Sequence, residues 1–481
     1  MVLKSSACLS GSTEEESIIS EETLISNGKI SQKIESTLEG EPFFNGMNTL
    51  RNIEVEGETI IIRADLNVPI DKNGNITDDA KVRGLLPTLE YLVKKGAKRI
   101  IILSHFGRPE MPEDFPKNSL LRVNTYLNEK LNINSTFVEN HKNLKGLYQD
   151  GNGTEIFLLE NTRFDPREKG SDAEKKEYAE ELKNYSGATK YINDAYGSIQ
   201  NKDSSVLTLA NCFDYENKSI GLLMEKELRA IQDFLDIIKD GGATLIIGGA
   251  KKDKIERVER MPNNITVIVS GALAHAFLVA KKLISNNKED EWYLLDKKQR
   301  ELLISKTVGN SLCIEGDVEK AIRMLKSGRK IILPEDFVVI IRIDNDGNVF
   351  TKEFTEIPEG TTCIDIGTKT LQQIKQVCNE SKVILVNGTT GNYEITKQGT
   401  EGLLEILMGA EAKIIAGGGD CAAAIRQSIE ILKNNPNLNL EETNAIVSKI
   451  CLSTGGGALL ELIAENGKTK TQIALGRKYP E

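Results

Sequence analysis

Gly417-Gly418-Gly419-Asp420 and Ser453-Thr454-Gly455-Gly456-Gly457-Ala458 decide how this chain reads. Each adjoins an apolar run that reads as a strand, 412–416 and 445–452. Each leads into a helix-like stretch, 421–432 and 459–464. Glycine lets the backbone approach a ligand closely and aim successive N–H groups at one point. A helix opening there adds partial positive charge, so the natural ligand is a phosphate. Asp420 stands where a Mg²⁺ on that phosphate would need a carboxylate. One such cluster fits an ordinary strand-to-helix turn; two of similar design argue for phosphate binding.

Working outward, an α/β series precedes these clusters. A strand at 243–247 ends in Gly248-Gly249-Ala250-Lys251-Lys252-Asp253-Lys254, and one at 265–270 ends in Gly271-Ala272. Strands at 330–333, 382–386 and 413–416 complete a sheet. Lys251 and Lys254 fall one helical turn apart, just beyond two glycines. Such lysines neutralise charge on a transferring phosphoryl group, although exposed lysines at a helix start are the plainer alternative. There is no GxxxxGK[ST], so this is no P-loop protein, and the lack of GxGxxG weakens a dinucleotide-binding reading. The charged stretch 285–299, with the chain's one tryptophan, Trp292, reads as a surface insertion.

The N-terminal half repeats the architecture. Strands at 59–63, 99–103, 155–159 and 190–192 alternate with helices at 79–95 (Asp78 a candidate cap) and 172–183, a βαβ spacing that predicts a parallel sheet. Asp65, Asn67, Lys81, His105, Arg108 and Arg163 fall at strand ends or a helix start. Cations beside hydrogen-bonding groups suit a small phosphorylated carboxylate, because arginine forks onto phosphate while Asp and Asn hold hydroxyls. Any one of them alone would read as a solvated surface charge. A long helix at 219–238 joins the two halves.

With 481 residues, two large domains are expected. The net charge of −10 argues against a nucleic-acid surface, and no run has the apolar length of a membrane span. Seven scattered cysteines without CxxC predict reduced thiols and a cytoplasmic protein. His105, His141 and His275 have no metal-ligand spacing. Residues 1–46 are Ser/Glu/Ile-rich and read as a disordered acidic extension.

In sequence order, RADLNVP (63–69), SHFGRP (104–109), LLENTRF (158–164), INDAYG (192–197), LLMEKEL (222–228), GGAK (248–251), IDIGTKT (364–370), VNGTTGNYE (386–394), GGGD (417–420) and STGGGA (453–458) resemble the phosphoglycerate kinase family from about Met47 to Ala464. The resemblance implies an α/β fold of two doubly wound parallel-sheet domains joined by a long helix and hinge. It implies a phosphoglycerate-binding domain at 47–218, a nucleotide-binding domain at 219–460, and a segment at 461–481 returning to the first. It implies reversible phosphoryl transfer between Mg·ATP and the carboxylate of 3-phosphoglycerate, by a monomer. Asp65, Asn67, His105, Arg108 and Arg163 match the substrate side. Lys251 and Lys254 match the lysines near the phosphates, and Lys81 the catalytic position of the first helix. Gly249, Ala250, Gly271, Asn387, Gly391, Glu394 (on the ribose), Gly418, Gly419, Asp420, Cys421, Gly455 and Gly456 match the nucleotide loops, with Mg²⁺ on Asp420.

The departures bear on function. The family's arginine in the first helix is Lys81 here, and a second substrate arginine is Asn201, in Gln200-Asn201-Lys202-Asp203. The third glycine cluster is Ser270-Gly271-Ala272. The residue after GGGD is Cys421 instead of threonine; it is either a thiolate favoured by the helix start or a buried, inert thiol. Lysine keeps a charge but loses the planar fork. The rival reading is therefore a nucleotide-binding pseudoenzyme with a regulatory or scaffolding role.

Overall fold

Short β-branched runs become strands buried on both faces. The first, TIIIRA, is buried along its whole length as β1 (Thr59–Ala64), and so is RIIIL as β2 (Arg99–Leu103). The computed structural model describes residues 46–476 apart from 152, 252, 344–348 and 435–438, and leaves the side chains of Asp420, Gln472 and Ile473 undescribed. The expected acidic extension therefore lies outside the described residues up to position 45, as do the last five residues of the chain.

The first sheet adds β3 (Ser135–Val138), β4 (Glu155–Leu159), β5 (Lys190–Asp194) and β6 (Lys218–Ile220), in the order β3-β4-β2-β1-β5-β6. Every pairing is parallel. From β1 the chain moves to β2 on one side; from β4 it crosses to β5 on the other. That reversal opens a crevice at the C-terminal end of β1, where open α/β sheets place ligands.

The second sheet contains β7 (Ala243–Ile247), β8 (Thr266–Val269), β9 (Ile331–Ile332), β13 (Val383–Asn387), β14 (Lys413–Gly417) and β15 (Ile450–Leu452), ordered β15-β14-β13-β7-β8-β9 and all parallel. Between β9 and β13 lies a feature the sequence reading missed. It is a small antiparallel sheet of β10 (Phe337–Ile343), β11 (Val349–Phe354) and β12 (Thr362–Ile366), ordered β11-β10-β12.

The joining helix is Leu222–Asp240, and it buries Leu228, Ile231 and Phe234 in a core shared by both sheets. It starts three residues later than expected because 218–220 pair with β5. Asp194 then takes the helix's open end: its carboxylate accepts from the Met224 N–H at 2.9 Å, and a Cβ on Gly221 would lie 2.2 Å from its Cγ. Chain entry at that closeness requires glycine.

One further expectation needs correction. Residues 445–448 are not strand but the end of the helix Leu440–Ser448, which Asn439 caps by accepting from the Glu442 N–H at 2.8 Å. The Asn-x-x-Glu pattern there is a capping box. The charged stretch 285–299 does lie at the surface, exposed or half-buried at every position but one; the exception is Trp292. It is fully buried in the one-turn segment Glu291–Leu294, with the Arg300 guanidinium 5.2 Å from its ring centre. Its large apolar area anchors the charged stretch around it.

The last described helix, Lys470–Leu475, packs on the first half. The Thr471 hydroxyl donates to the Ile199 carbonyl, and Met47 bridges to Gly476. No helix among the described residues is long and apolar enough to cross a membrane.

Candidate active site

The C-terminal ends of β1, β2, β4 and β5 bring the expected basic cluster together. Asp65 follows β1 and is buried; Lys81, in the first turn of the helix Ala80–Lys94, donates to its Oδ2 at 2.8 Å. Burial would raise the Asp65 carboxyl, but the Lys81 ammonium outweighs it with help from His105 and Arg63, leaving a pKa of about 2. Gly197, after β5, closes over this pair: a Cβ there would lie 2.3 Å from Asp65 Oδ2. Asn67 accepts from the Gly107 N–H at 2.9 Å, so its side chain shapes the loop after β2.

His105 is buried, and Arg63 Nη2 lies 3.1 Å from its Nδ1. A guanidinium can only donate, so Nδ1 accepts and Nε2 carries the proton. Burial holds this imidazole well below the ordinary histidine range, so at neutral pH it is an uncharged donor. Arg63 is itself fully buried and donates to Ser205 Oγ at 2.8 Å; the Ser205 N–H donates to Glu168 Oε2 at 2.9 Å. The sequence reading missed this network, because a strand arginine followed by motif residues carries no sign of its depth.

Arg163 donates to the Gly107 carbonyl at 2.6 Å and lies 3.8 Å from Asp203. Asn201 donates to the same Asp203 carboxylate at 3.4 Å. Arg108 is exposed and makes no ion pair among the described residues. Lys470 was also missed. It opens the last helix, next to the residue bonded to Ile199, and the Lys202 ammonium beside it holds it below the ordinary lysine range. Lys202, 268 positions earlier in the sequence, directly follows Asn201.

The second sheet's C-terminal end is built from backbone. The two glycine clusters touch: a Cβ on Gly456 would lie 2.4 Å from the Gly418 nitrogen. One on Gly388 would lie 2.5 Å from the Gly248 oxygen, and one on Gly271 would lie 2.8 Å from the Gly249 nitrogen. Gly249, Gly271, Gly388 and Gly418 all have positive φ. Helices open at Gly271, Gly419 and Gly456. Lys254 is buried at the crossing and donates to the carbonyls of Gly248 at 2.7 Å and Asn387 at 3.0 Å. Asn387 is buried too, and donates to the Gly456 carbonyl at 2.7 Å. Lys251 is exposed. Cys421 is buried, in the core cluster that holds Ile414 and Ile425.

Beside these loops lies a cavity of about 750 Å³. Gly249, Ala250, Gly271, Gly391 and Glu394 line part of it; Leu312, Pro334 and Phe337 line another part. A glycine rim beside apolar walls fits a phosphorylated ligand with a flat, apolar body. The Asp420 side chain, expected at a metal, lies outside the description. No group of three or more metal-ligating side chains occurs among the described residues. Finally, the loop after β15 meets the turn after β5: a Cβ on Gly455 would lie 2.6 Å from the Tyr196 ring.

A basic pocket on one parallel sheet and a glycine cradle on another, in contact through a loop, define a two-sheet α/β phosphotransferase. The family model for phosphoglycerate kinase matches residues 50–466. A phosphoglycerate kinase of Herpetosiphon aurantiacus is 32% identical over 438 residues, covering 89% of this chain and 98% of the relative. One from Aquifex aeolicus is 30% identical, covering 86% and 95%. Among solved structures, phosphoglycerate kinase from Pyrococcus horikoshii superposes with a TM-score of 0.66 at 24% identity, covering 89% of this chain and 98% of that one. The Coxiella burnetii structure gives 0.64, with the same identity and coverage. The chain belongs to the phosphoglycerate kinase family.

Proposed function

We propose that the chain transfers a phosphoryl group reversibly between Mg·ATP and the carboxylate of 3-phosphoglycerate, giving 1,3-bisphosphoglycerate, a glycolytic step. The observation that carries this reading is the pairing of chemically complementary half-sites: side-chain cations after the first sheet, a glycine cradle and cavity after the second. The attacking carboxylate is already ionised at neutral pH, so no general base is needed. Positioning and charge stabilisation do the work.

On the substrate side, Asp65 and Asn67 hold the hydroxyl and shape the pocket, and Lys81 and the neutral His105 Nε2–H address the carboxylate. Arg108 and Arg163 take the phosphate, with Lys202 and Lys470 supplying charge where Asn201 supplies none. On the nucleotide side, Gly249, Ala250, Gly271, Asn387, Gly391, Gly418, Gly419, Cys421, Gly455 and Gly456 contribute backbone to the cradle, and Glu394 reaches the ribose. Lys251 and Lys254 address the transferring group. Mg²⁺ would arrive on the nucleotide, neutralising phosphate charge, with Asp420 as its carboxylate; magnesium keeps mostly phosphate and water ligands in such sites. Both half-sites lie on one chain, which supports a monomer. Six free cysteines among the described residues support a reducing, cytoplasmic setting.

A coupled assay with 3-phosphoglycerate and Mg·ATP, run beside calorimetry with Mg·ADP, tests this. Turnover that needs both substrates is expected. Nucleotide binding without turnover would overturn the reading in favour of a pseudoenzyme.

A further inference from the structure

We propose that Arg426 and Asp78 are positioning residues: their ion pair clasps the nucleotide-side half to the substrate-side half and so sets Lys81 at the phosphoryl group that the glycine cradle presents. The inference rests on the phosphotransferase reading, and adds to it a contact that brings the half-sites together.

Arg426 lies on the helix Gly419–Lys433, which opens at the glycine cradle. It comes seven residues after Gly419, two turns on, and so shares a helix face with it. Asp78 stands two residues before the helix Ala80–Lys94, which carries Lys81 in its first turn. The Asp78 carboxylate is shared. Its Oδ1 accepts from the Ala80 N–H at 2.9 Å, and its Oδ2 accepts from the Arg426 guanidinium. One acidic group therefore ties the start of the Lys81 helix to a helix of the second half, across 348 positions of sequence. Among ion pairs between described residues, this is the one that runs from a residue before the joining helix to a residue after it. Neither residue belongs to a half-site, yet each stands beside one.

The reaction gives such a contact its importance. The two reactants sit on different sheets, and transfer needs their reacting atoms about 3–3.5 Å apart. Lys81 supplies a point charge on a flexible stem in place of a planar fork, so its aim depends on where its helix is held. The side chains of Arg426 and Asp78 are 33% and 28% exposed. A pair that meets water contributes modestly. It biases the approach of the halves without locking it, which leaves them free to part for product release.

The test is single-turnover transfer from Mg·ATP to 3-phosphoglycerate, beside calorimetry with each of Mg·ADP and 3-phosphoglycerate alone. Arg426→Gln should slow transfer about threefold and leave both separate affinities within about twofold of the wild type. Asp78→Asn keeps an oxygen for the Ala80 N–H and should do the same. The double variant should be no slower than either single one, because both remove the same contact. Losses that multiply, or unchanged transfer in both single variants, would overturn the proposal. Small-angle X-ray scattering of the full chain needs no turnover. Arg426→Glu sets two carboxylates together and should enlarge the radius of gyration; adding Asp78→Lys should restore it. An unchanged radius in the folded Arg426→Glu variant would overturn the clasp. A wild type that transfers nothing would overturn the phosphotransferase reading beneath it, and the scattering would still decide the clasp.

Discussion

The two half-sites are made of different material. After the first sheet, the candidate groups are side chains: Lys81 pairs with Asp65 at 2.8 Å, and Arg163 lies 3.8 Å from Asp203. After the second sheet, the rim is backbone, held by Lys254 and Asn387 gripping carbonyls at 2.7–3.0 Å. The difference governs what each can lose. A side-chain charge can be replaced by another that reaches the same place, which is the part proposed above for Lys202 and Lys470 beside Asn201. A glycine whose absent Cβ would overlap a carbonyl has no substitute. On this account the family's arginines were dispensable at two positions, whereas the touching glycines were not.

The largest expected effect breaks the backbone half. Gly388→Ala places a Cβ 2.5 Å from the Gly248 oxygen and 2.7 Å from Lys254 Nζ, at φ 106°. Strained backbone of this kind costs roughly 1–3 kcal/mol before overlap is counted. Mg·ADP affinity should fall by about a hundredfold in a variant that still melts cooperatively. Gly316→Ala, whose Cβ would meet nothing within 4 Å, is the control and should bind as the wild type does. Equal behaviour of the two variants would contradict a cradle that needs its glycines.

Next comes the side-chain half. Replacing Lys202 and Lys470 together by alanine should raise KM for 3-phosphoglycerate about tenfold, with kcat nearly unchanged, because the phosphate is held alike in ground and transition states. An unchanged KM would mean that these lysines do not stand in for the missing arginine. Asn201→Arg sharpens the comparison from the other side. It should lower KM by a few fold at most, because Asp203 takes part of the new charge and the lysines already supply some.

The smallest effect concerns the helix between the halves. Glu227 is buried on it and accepts from the Thr454 N–H at 2.6 Å and hydroxyl at 2.9 Å, tying it to the second glycine cluster. Burial raises its pKa from 4.5 to about 7. Between those values the folded chain keeps a proton that the unfolded chain has lost. The stability this contributes is fully present below pH 4.5 and is lost as pH rises through about 7. Glu227→Gln, which cannot ionise, should therefore flatten the fall in melting temperature across that window. An unaltered pH profile would show that Glu227 is already ionised when folded.

Much of this contrast was legible in the residues. Isoleucine-rich runs such as 60–62 and 100–102 carry a buried parallel strand's signature, and motif residues at their ends marked both half-sites. Touching glycine clusters also leave a local pattern, because glycine is the only residue such packing admits. What stayed hidden depends on distance through space. Lys470 reaches the first half only once the last helix docks at Ile199. Lys254 looks like an exposed helix-start lysine until its carbonyl partners are seen. The tautomer of His105 is set by Arg63, which is no sequence neighbour. The antiparallel sheet was missed because β10 is buried at Phe337–Val339 but exposed by Arg342, and β11 is largely exposed. Neither matches a core strand's pattern.

The most direct test of the central claim is to follow the phosphoryl group itself. Enzyme is mixed in a single turnover with ATP labelled on the γ-phosphate, Mg²⁺ and 3-phosphoglycerate, and quenched into hydroxylamine. An acyl phosphate made by carboxylate attack is captured as a hydroxamate, with the label released as inorganic phosphate. Water-directed transfer releases the label without hydroxamate. The account predicts hydroxamate and ADP in equal amounts, both dependent on 3-phosphoglycerate. ADP formed without hydroxamate, or tightly bound ATP left intact, would contradict it.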